Sequence, residues 1–338
     1  MRDALRGLGH EVMLVSQTHI EYCDYGVAEL PPPTAWHRLR GRHFKNGFAH
    51  VLNAFDAAKR RGAQVFEIEE SFGWAGRLNG IPVVARLHGP NGFSSDYYDQ
   101  EREAAEITSL KKVRAITSPS RKLLEAVRTR YGIALPQATV IPNPMPRPLE
   151  TWDVAAADLN QILFVGRFDR TKGADVAFEA FTRARKKRPT LKMIMVGPGQ
   201  QPEVPEGVRV AGNLRSDEIL KLRLRSAIAL SCARSETFSY AVAEAMALGM
   251  PVLASDTFGP SEIISDGIDG RLVPVGDADT TAKAIVEMLS NPNDLARLGS
   301  EAAVRVSNYM SPGKIASETA KLYRRLCCSR VNEARPRT

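Results

Sequence analysis

Ile162-Leu163-Phe164-Val165-Gly166-Arg167-Phe168-Asp169-Arg170-Thr171-Lys172-Gly173 is the stretch that decides the fold. Four apolar residues, two of them β-branched, read as a strand covered on both faces. Gly166 ends that run. From Gly173 to Lys187 the apolar residues recur at the spacing of an amphipathic helix. A buried strand, a polar loop and a helix form the repeating step of a parallel α/β sheet.

The step repeats outward in both directions. Downstream, strands are expected at 191–196, 208–210, 228–231, 252–254 and 271–273, with helices near 216–224, 240–248, 260–265 and 277–289. Upstream, strands are expected at 12–15, 64–68, 82–87, 114–117 and 139–141, and helices near 47–61, 99–112 and 121–131. Between the halves lies Ile141-Pro142-Asn143-Pro144-Met145-Pro146-Arg147-Pro148. Its prolines cannot continue a helix or an inner strand. The reading is therefore two Rossmann-like doubly wound domains: 1–152 first, then 153–309. Helix 310–328 is expected to pack back on the first domain, and 329–338 forms a polar tail. The chain opens with the end of a helix, a glycine stop at Gly9 and the strand at 12–15. A doubly wound domain starts with a strand and a turn. The first domain is thus expected to lack its first strand.

The 338 residues suffice for two cores, and 43% hydrophobic with 25% charged is an ordinary globular balance. No run approaches the roughly 18 apolar residues of a membrane span, and the N-terminus has no signal-peptide pattern. The expected location is the cytoplasm or the inner face of the plasma membrane. Cys23, Cys232, Cys327 and Cys328 have neither zinc nor disulfide spacing and read as reduced thiols. The net charge of +8 is shared evenly, +4 in residues 1–150 and +4 in the rest. Neither half is a dedicated nucleic-acid domain, and the surplus suits anionic ligands or an anionic membrane. Trp36-His37-Arg38-Leu39-Arg40-Gly41-Arg42-His43-Phe44-Lys45 interleaves cations with aromatics. It reads either as a headgroup- or glycan-touching patch or as a solvated loop.

Arg167 and Lys172 stand on the loop after the 162–165 strand, where open α/β sheets take ligands. They could grip a diphosphate, or simply be solvated. Ser235-Glu236-Thr237-Phe238-Ser239-Tyr240-Ala241-Val242-Ala243-Glu244 follows the 228–231 strand. It places Glu236 in a loop, the amides near Phe238 and Ser239 at a helix N-terminus, and Glu244 among alanines. A helix N-terminus suits an anion, and carboxylates accept from sugar and ribose hydroxyls. The Asp-x-Asp at Asp277-Ala278-Asp279 precedes a helix and reads as an N-cap rather than a metal site. No G-x-G-x-x-G opens a helix after a strand, which disfavours a dinucleotide oxidoreductase.

Taken in order, Gly166-Arg167…Lys172-Gly173, Glu236 with Glu244, Gly249-Met250-Pro251-Val252 and Gly259-Pro260-Ser261-Glu262-Ile263-Ile264 resemble glycosyltransferase family 4, whose fold is GT-B. Fainter echoes are Arg86-Leu87-His88-Gly89, Thr117-Ser118-Pro119-Ser120 and Val140-Ile141-Pro142-Asn143. The resemblance implies a retaining, metal-independent enzyme without cofactor. It would move a sugar from a nucleotide diphosphate sugar to a glycan or lipid-linked acceptor in cell-surface polysaccharide or glycolipid synthesis. By the same resemblance, Arg167 and Lys172 bind the diphosphate and Glu244 holds the ribose. Glu236 and His88 act at the transferred sugar, and the backbone at Phe238 and Ser239 contacts sugar or phosphate. Ser239-Tyr240-Ala241 departs from the family's frequent Gly-Leu-Pro. The alternatives are a nucleotide-binding remnant, or another GT-B enzyme such as a nucleotide-sugar epimerase or a phosphorylase.

Overall fold

The computed structural model describes residues 1–15, 19–21, 27–29, 48–93, 98–199 and 203–333. The Trp36–Lys45 cluster and Cys23 lie outside the described residues. The chain divides into two compact units. One comprises Met1–Pro119, Leu124–Ile141 and Pro312–Thr338; the other comprises Ser120–Leu123 and Pro142–Ser311.

In the first unit, α1 (Arg2–Arg6) ends as its glycine predicts. Gly9, at φ 81°, carries the left-handed turn, and the Gly9 and His10 amides donate to the carbonyls of Arg6 and Leu5. The strand expected at 12–15 is shorter and differently paired. Leu14–Val15 (β1) runs antiparallel to β2 (His19–Glu21), which pairs antiparallel with β3 (Val27–Glu29). The three form a separate small sheet, so β1 is not part of the parallel sheet as expected. After α2 (Phe48–Arg60), the parallel sheet runs in the order β4 (Phe66–Glu69), β5 (Val83–Arg86), β6 (Ala115–Ser118), β7 (Ala138–Val140). Every residue of β5 and β6 is buried, as expected of parallel strands covered on both faces. Phe55 of α2 meets Phe66 of β4 edge to face at 5.0 Å. Helices α3 (Gln100–Lys112) and α4 (Arg121–Tyr131) follow, α3 being N-capped by the Asp99 side chain.

The second unit is one parallel sheet in the order β10-β9-β8-β11-β12-β13. Its strands are β8 (Asp158–Val165), β9 (Lys192–Val196), β10 (Val208–Gly212), β11 (Ser226–Ser231), β12 (Val252–Ser255) and β13 (Arg271–Val273). Between and after them lie α5 (Ala174–Lys187), α6 (Ser216–Arg225), α7 (Tyr240–Ala247), α8 (Pro260–Ile263), α9 (Ala278–Leu289) and α10 (Pro292–Tyr309). One large apolar core fills this unit, with Phe164, Phe181, Met195, Ile228 and Leu253 almost wholly buried. The chain winds outward from β8 through β9 to β10, then crosses back to β11 and winds the other way. That reversal creates a crevice at the carboxyl ends of β8 and β11. Asp277 caps α9, accepting from the Thr280 amide at 2.9 Å and the Thr280 hydroxyl at 2.6 Å, so the Asp-x-Asp begins a helix.

The boundary falls earlier than 152. Trp152 is buried in the second unit, its indole N–H donating to the Ser226 carbonyl at 2.7 Å and its amide to Leu248. The prolines from Pro142 onward are already part of that unit, and the Met145 amide donates to Met310. The last helix, α11 (Pro312–Glu333), belongs to the first unit. Ile315 and Leu322 pack with Val84, Ala115 and Ile141, and Ala316 and Ala320 pack with Leu5. Each buried large aliphatic of this kind is worth roughly 1.5–3 kcal/mol, enough to hold the helix to that core.

Candidate functional site

A cavity of about 440 Å³ sits in the crevice at the carboxyl ends of β8, β9 and β11. Arg167 and Lys172 line it from the β8–α5 loop. Glu236, Ser239, Tyr240, Ala241 and Glu244 line it from the β11–α7 connection and α7. A larger hollow of about 880 Å³ lies at the amino ends of β8 and β9. Open parallel sheets take ligands at the carboxyl ends of their strands, so the smaller cavity is the candidate site.

Two glycines bring its loops together. Gly173 adopts φ 69°, and a Cβ there would stand 1.9 Å from the Cys232 carbonyl oxygen. Only glycine lets the start of α5 touch the end of β11 this closely. Gly197 adopts φ 148°, and a Cβ there would stand 2.0 Å from the Gly166 carbonyl oxygen, which draws the β9 loop against the β8 loop.

Asp169 organises the two cations. Its carboxylate accepts from the Arg167 guanidinium at 2.7 Å and from the Lys172 amide at 2.8 Å. Arg234 braces the same loop. Its guanidinium reaches the Arg170 carbonyl and both oxygens of Asp175, and its amide donates to the Thr171 carbonyl. The hydrogen bond from Arg234 holds the Asp175 carboxyl below the usual range. The Lys172 ammonium forms an ion pair with the Glu236 carboxylate. Glu236 is itself fixed through its carbonyl, which accepts the Gly259 amide at 2.8 Å. Glu244 accepts from Arg223 at 2.5 Å.

The N-terminus of α7 opens on the cavity through Ser239, Tyr240 and Ala241. Ser239 holds φ 72° and ψ 79°, a left-handed conformation that L side chains rarely adopt, and its hydroxyl makes no capping bond. Phe238 is buried behind it, its ring edge-on to Tyr240 at 5.0 Å. Two cations and a helix N-terminus facing one cavity suit an anionic ligand. Among the described residues no three His, Cys, Asp or Glu side chains gather as a metal-binding group.

His88 lies in the other unit, on the loop after β5. That loop is fastened from beneath. Glu70, fully buried, accepts the His88 and Gly89 amides, each at 2.9 Å. Glu106, also fully buried, accepts the Asn91 amide at 2.9 Å, the Tyr131 hydroxyl and Arg102. Burial pushes the Glu70 carboxyl up to about 7 despite those amide bonds. Crowding by the protein and then the Arg86 charge hold the His88 imidazole below its ordinary value.

Of the seven residues singled out in the sequence, the structure gathers Arg167, Lys172, Glu236, Ser239 and Glu244 around one cavity, with Phe238 behind Ser239. Asp169, Arg223 and Tyr240 were not singled out. Asp169 stands inside the quoted loop, where a carboxylate between two cations was the available signal. Arg223 has no local signal, because only the fold brings α6 beside α7.

Two α/β units, each built on a parallel sheet, are those of the GT-B class. Residues 153–305 match the family model of the group 1 glycosyl transferases, and residues 1–146 match that of Glycosyltransferase Family 4. The chain belongs to the group 1 glycosyltransferases. It is 34% identical over 157 residues to a phosphatidyl-myo-inositol mannosyltransferase of Mycolicibacterium smegmatis, covering 44% of this chain and 41% of that protein. It is 24% identical over 262 residues to a glycogen synthase of Mycobacterium tuberculosis, covering 72% of this chain and 63% of that protein. The matches thus span less than two thirds of these relatives. Among solved structures, a sucrose-phosphate synthase from Thermosynechococcus elongatus superposes with a TM-score of 0.76 at 21% identity, covering 97% of this chain and 92% of that one. HepE of Anabaena, solved with UDP, superposes with a TM-score of 0.68 at 18% identity, covering 80% and 81%. These likenesses concern the fold.

Proposed function

We propose that the chain is a retaining, metal-independent glycosyltransferase that moves a sugar from a nucleotide diphosphate sugar to a glycan or lipid-linked acceptor. The observation that carries the reading is the convergence of Arg167, Lys172 and the α7 N-terminus on one cavity that also holds Glu236 and Glu244. The bond from the sugar's anomeric carbon to the β-phosphate oxygen breaks, and negative charge builds on that phosphate. Arg167 and Lys172 are placed to stabilise it, together with the helix dipole. The anomeric carbon becomes oxocarbenium-like and bonds to the acceptor oxygen on the face the phosphate leaves. The acceptor's proton passes to a phosphate oxygen, so no carboxylate serves as nucleophile. Glu244 takes the ribose hydroxyls. Glu236 and His88 attend the sugar, and the backbone at Phe238 and Ser239 contacts sugar or phosphate.

The family match, the mannosyltransferase and glycogen synthase relatives and the UDP held by a neighbour of the same fold support this reading. Contact with an anionic membrane is part of the proposal and rests on the +8 charge and the Trp36–Lys45 sequence. Among the described residues no helix is long and apolar enough to cross a membrane. The experiment is turnover of radiolabelled UDP- and GDP-sugars with a crude glycolipid acceptor fraction, followed by the anomeric configuration of the product. Transfer with retention is expected. Transfer with inversion rejects the mechanism, and nucleotide binding without transfer points to a remnant.

A further inference from the structure

Arg223 stands behind the pocket wall. It is only 7% exposed, which is unusual for an arginine, and it donates to one oxygen of Glu244 at 2.5 Å. Val165, Ser231 and Ala241 line both the cavity and the narrow space that Arg223 borders, so the two are neighbours across those side chains. The Glu244 carboxylate, 44% exposed, stands on the cavity side.

We infer that Arg223 is a positioning residue that fixes how the pocket reads the ribose. The inference rests on the proposal that Glu244 accepts the ribose hydroxyls. Arg223 occupies Oε2 and leaves Oε1 as the acceptor, in one orientation. A glutamate on a surface helix otherwise samples several rotamers, and ordering it on ligand arrival costs entropy. Arg223 also balances the Glu244 charge, as Lys172 balances Glu236 and Arg167 balances Asp169. Losing that balance would weaken every nucleotide alike. Losing the orientation would weaken only the distinction between a ribose and a sugar without hydroxyls.

The test is calorimetry of UDP and 2′,3′-dideoxy-UDP, with GDP and its dideoxy form in parallel, on the wild type, Arg223→Met, Arg223→Lys and Glu244→Gln. The wild type should favour the ribonucleotide by about tenfold or more, the range for hydrogen bonds to a charged group. Arg223→Met should bring that ratio to within about threefold of unity, and Arg223→Lys should keep part of it. A merely structural arginine would lower the melting temperature and leave the ratio untouched. Should Arg223→Met not fold, Arg223→Lys decides, since a wild-type ratio there overturns the inference. If both arginine variants keep the ratio while Glu244→Gln loses it, Arg223 is not the positioning residue and Glu244 stands. A wild type without ribose preference, or a Glu244→Gln variant that keeps it in full, removes the Glu244 reading and this inference together.

Discussion

Replacing Glu236 with glutamine should tighten nucleoside diphosphate binding while slowing transfer. The Lys172 ammonium is engaged by the Glu236 carboxylate. An arriving diphosphate must share or displace that partner. Lys172 is 28% exposed and Glu236 15%, so the pair lies between a surface bridge and a buried one. Two unit charges about 4 Å apart attract by roughly 4 kcal/mol at an effective dielectric of 20, before desolvation and ordering are subtracted. Exposed pairs retain about 0–1 kcal/mol net, and this pair belongs at the upper end. Freeing Lys172 should therefore favour the diphosphate by about 1 kcal/mol, close to fivefold in affinity. Glutamine keeps the volume and one acceptor oxygen, so the loop shape persists. A carboxylate that only attended the sugar would leave nucleotide affinity unchanged on its loss; the ion pair turns that into a gain. Calorimetry at low and high salt is the assay, and the gain should shrink as salt screens the charges. Weaker nucleotide binding in Glu236→Gln, equal to that of Glu244→Ala, would refute the division of labour between the two carboxylates.

Three further outcomes are expected, two of them from single residues. Ser239 holds φ 72° without a glycine, at a cost of about 1 kcal/mol, so Ser239→Gly should raise the melting temperature by about 2–4 °C; a fall would contradict the conformation. Glu70 is raised from 4.5 to about 7 by burial, so the folded state holds a proton that the unfolded state releases over that interval. Stability from this group is present at low pH and lost as pH rises to about 7, by about 3 kcal/mol, and denaturation of Glu70→Gln should lack this loss relative to the wild type. Transfer should survive a metal chelator, and abolition restored by added divalent cation would remove the metal-free mechanism.

The second unit was legible in the sequence almost element by element. Its inner strands carry buried apolar runs and its helices keep one apolar face, so local pattern and tertiary role agree there. Arg271–Val273 falls where the pattern placed it, as does Arg121–Tyr131, mostly in the first unit. Residues 12–15 did not, because so short a run carries no information about its partner, and β2 captures it antiparallel. The prolines marked a junction. What they could not mark was the Trp152 indole bond to Ser226, which carries residues 142–152 into the second unit. Arg167, Lys172, Glu236 and Glu244 were visible because each follows a strand at a carboxyl end. Arg223 and Glu70 were not, because their roles depend on contacts between elements distant in sequence.

The central claim is that Arg167 and Lys172 form the phosphate grip of a nucleotide-sugar site in the second unit. Calorimetric titration of UDP and GDP into the wild type and Lys172→Ala tests it most directly. The account predicts measurable binding by the wild type to at least one of them and a loss of roughly 1.5–3 kcal/mol in Lys172→Ala, the range for a hydrogen bond to a charged group. Equal affinity in the two proteins, or no binding by the wild type to either nucleotide, would contradict it.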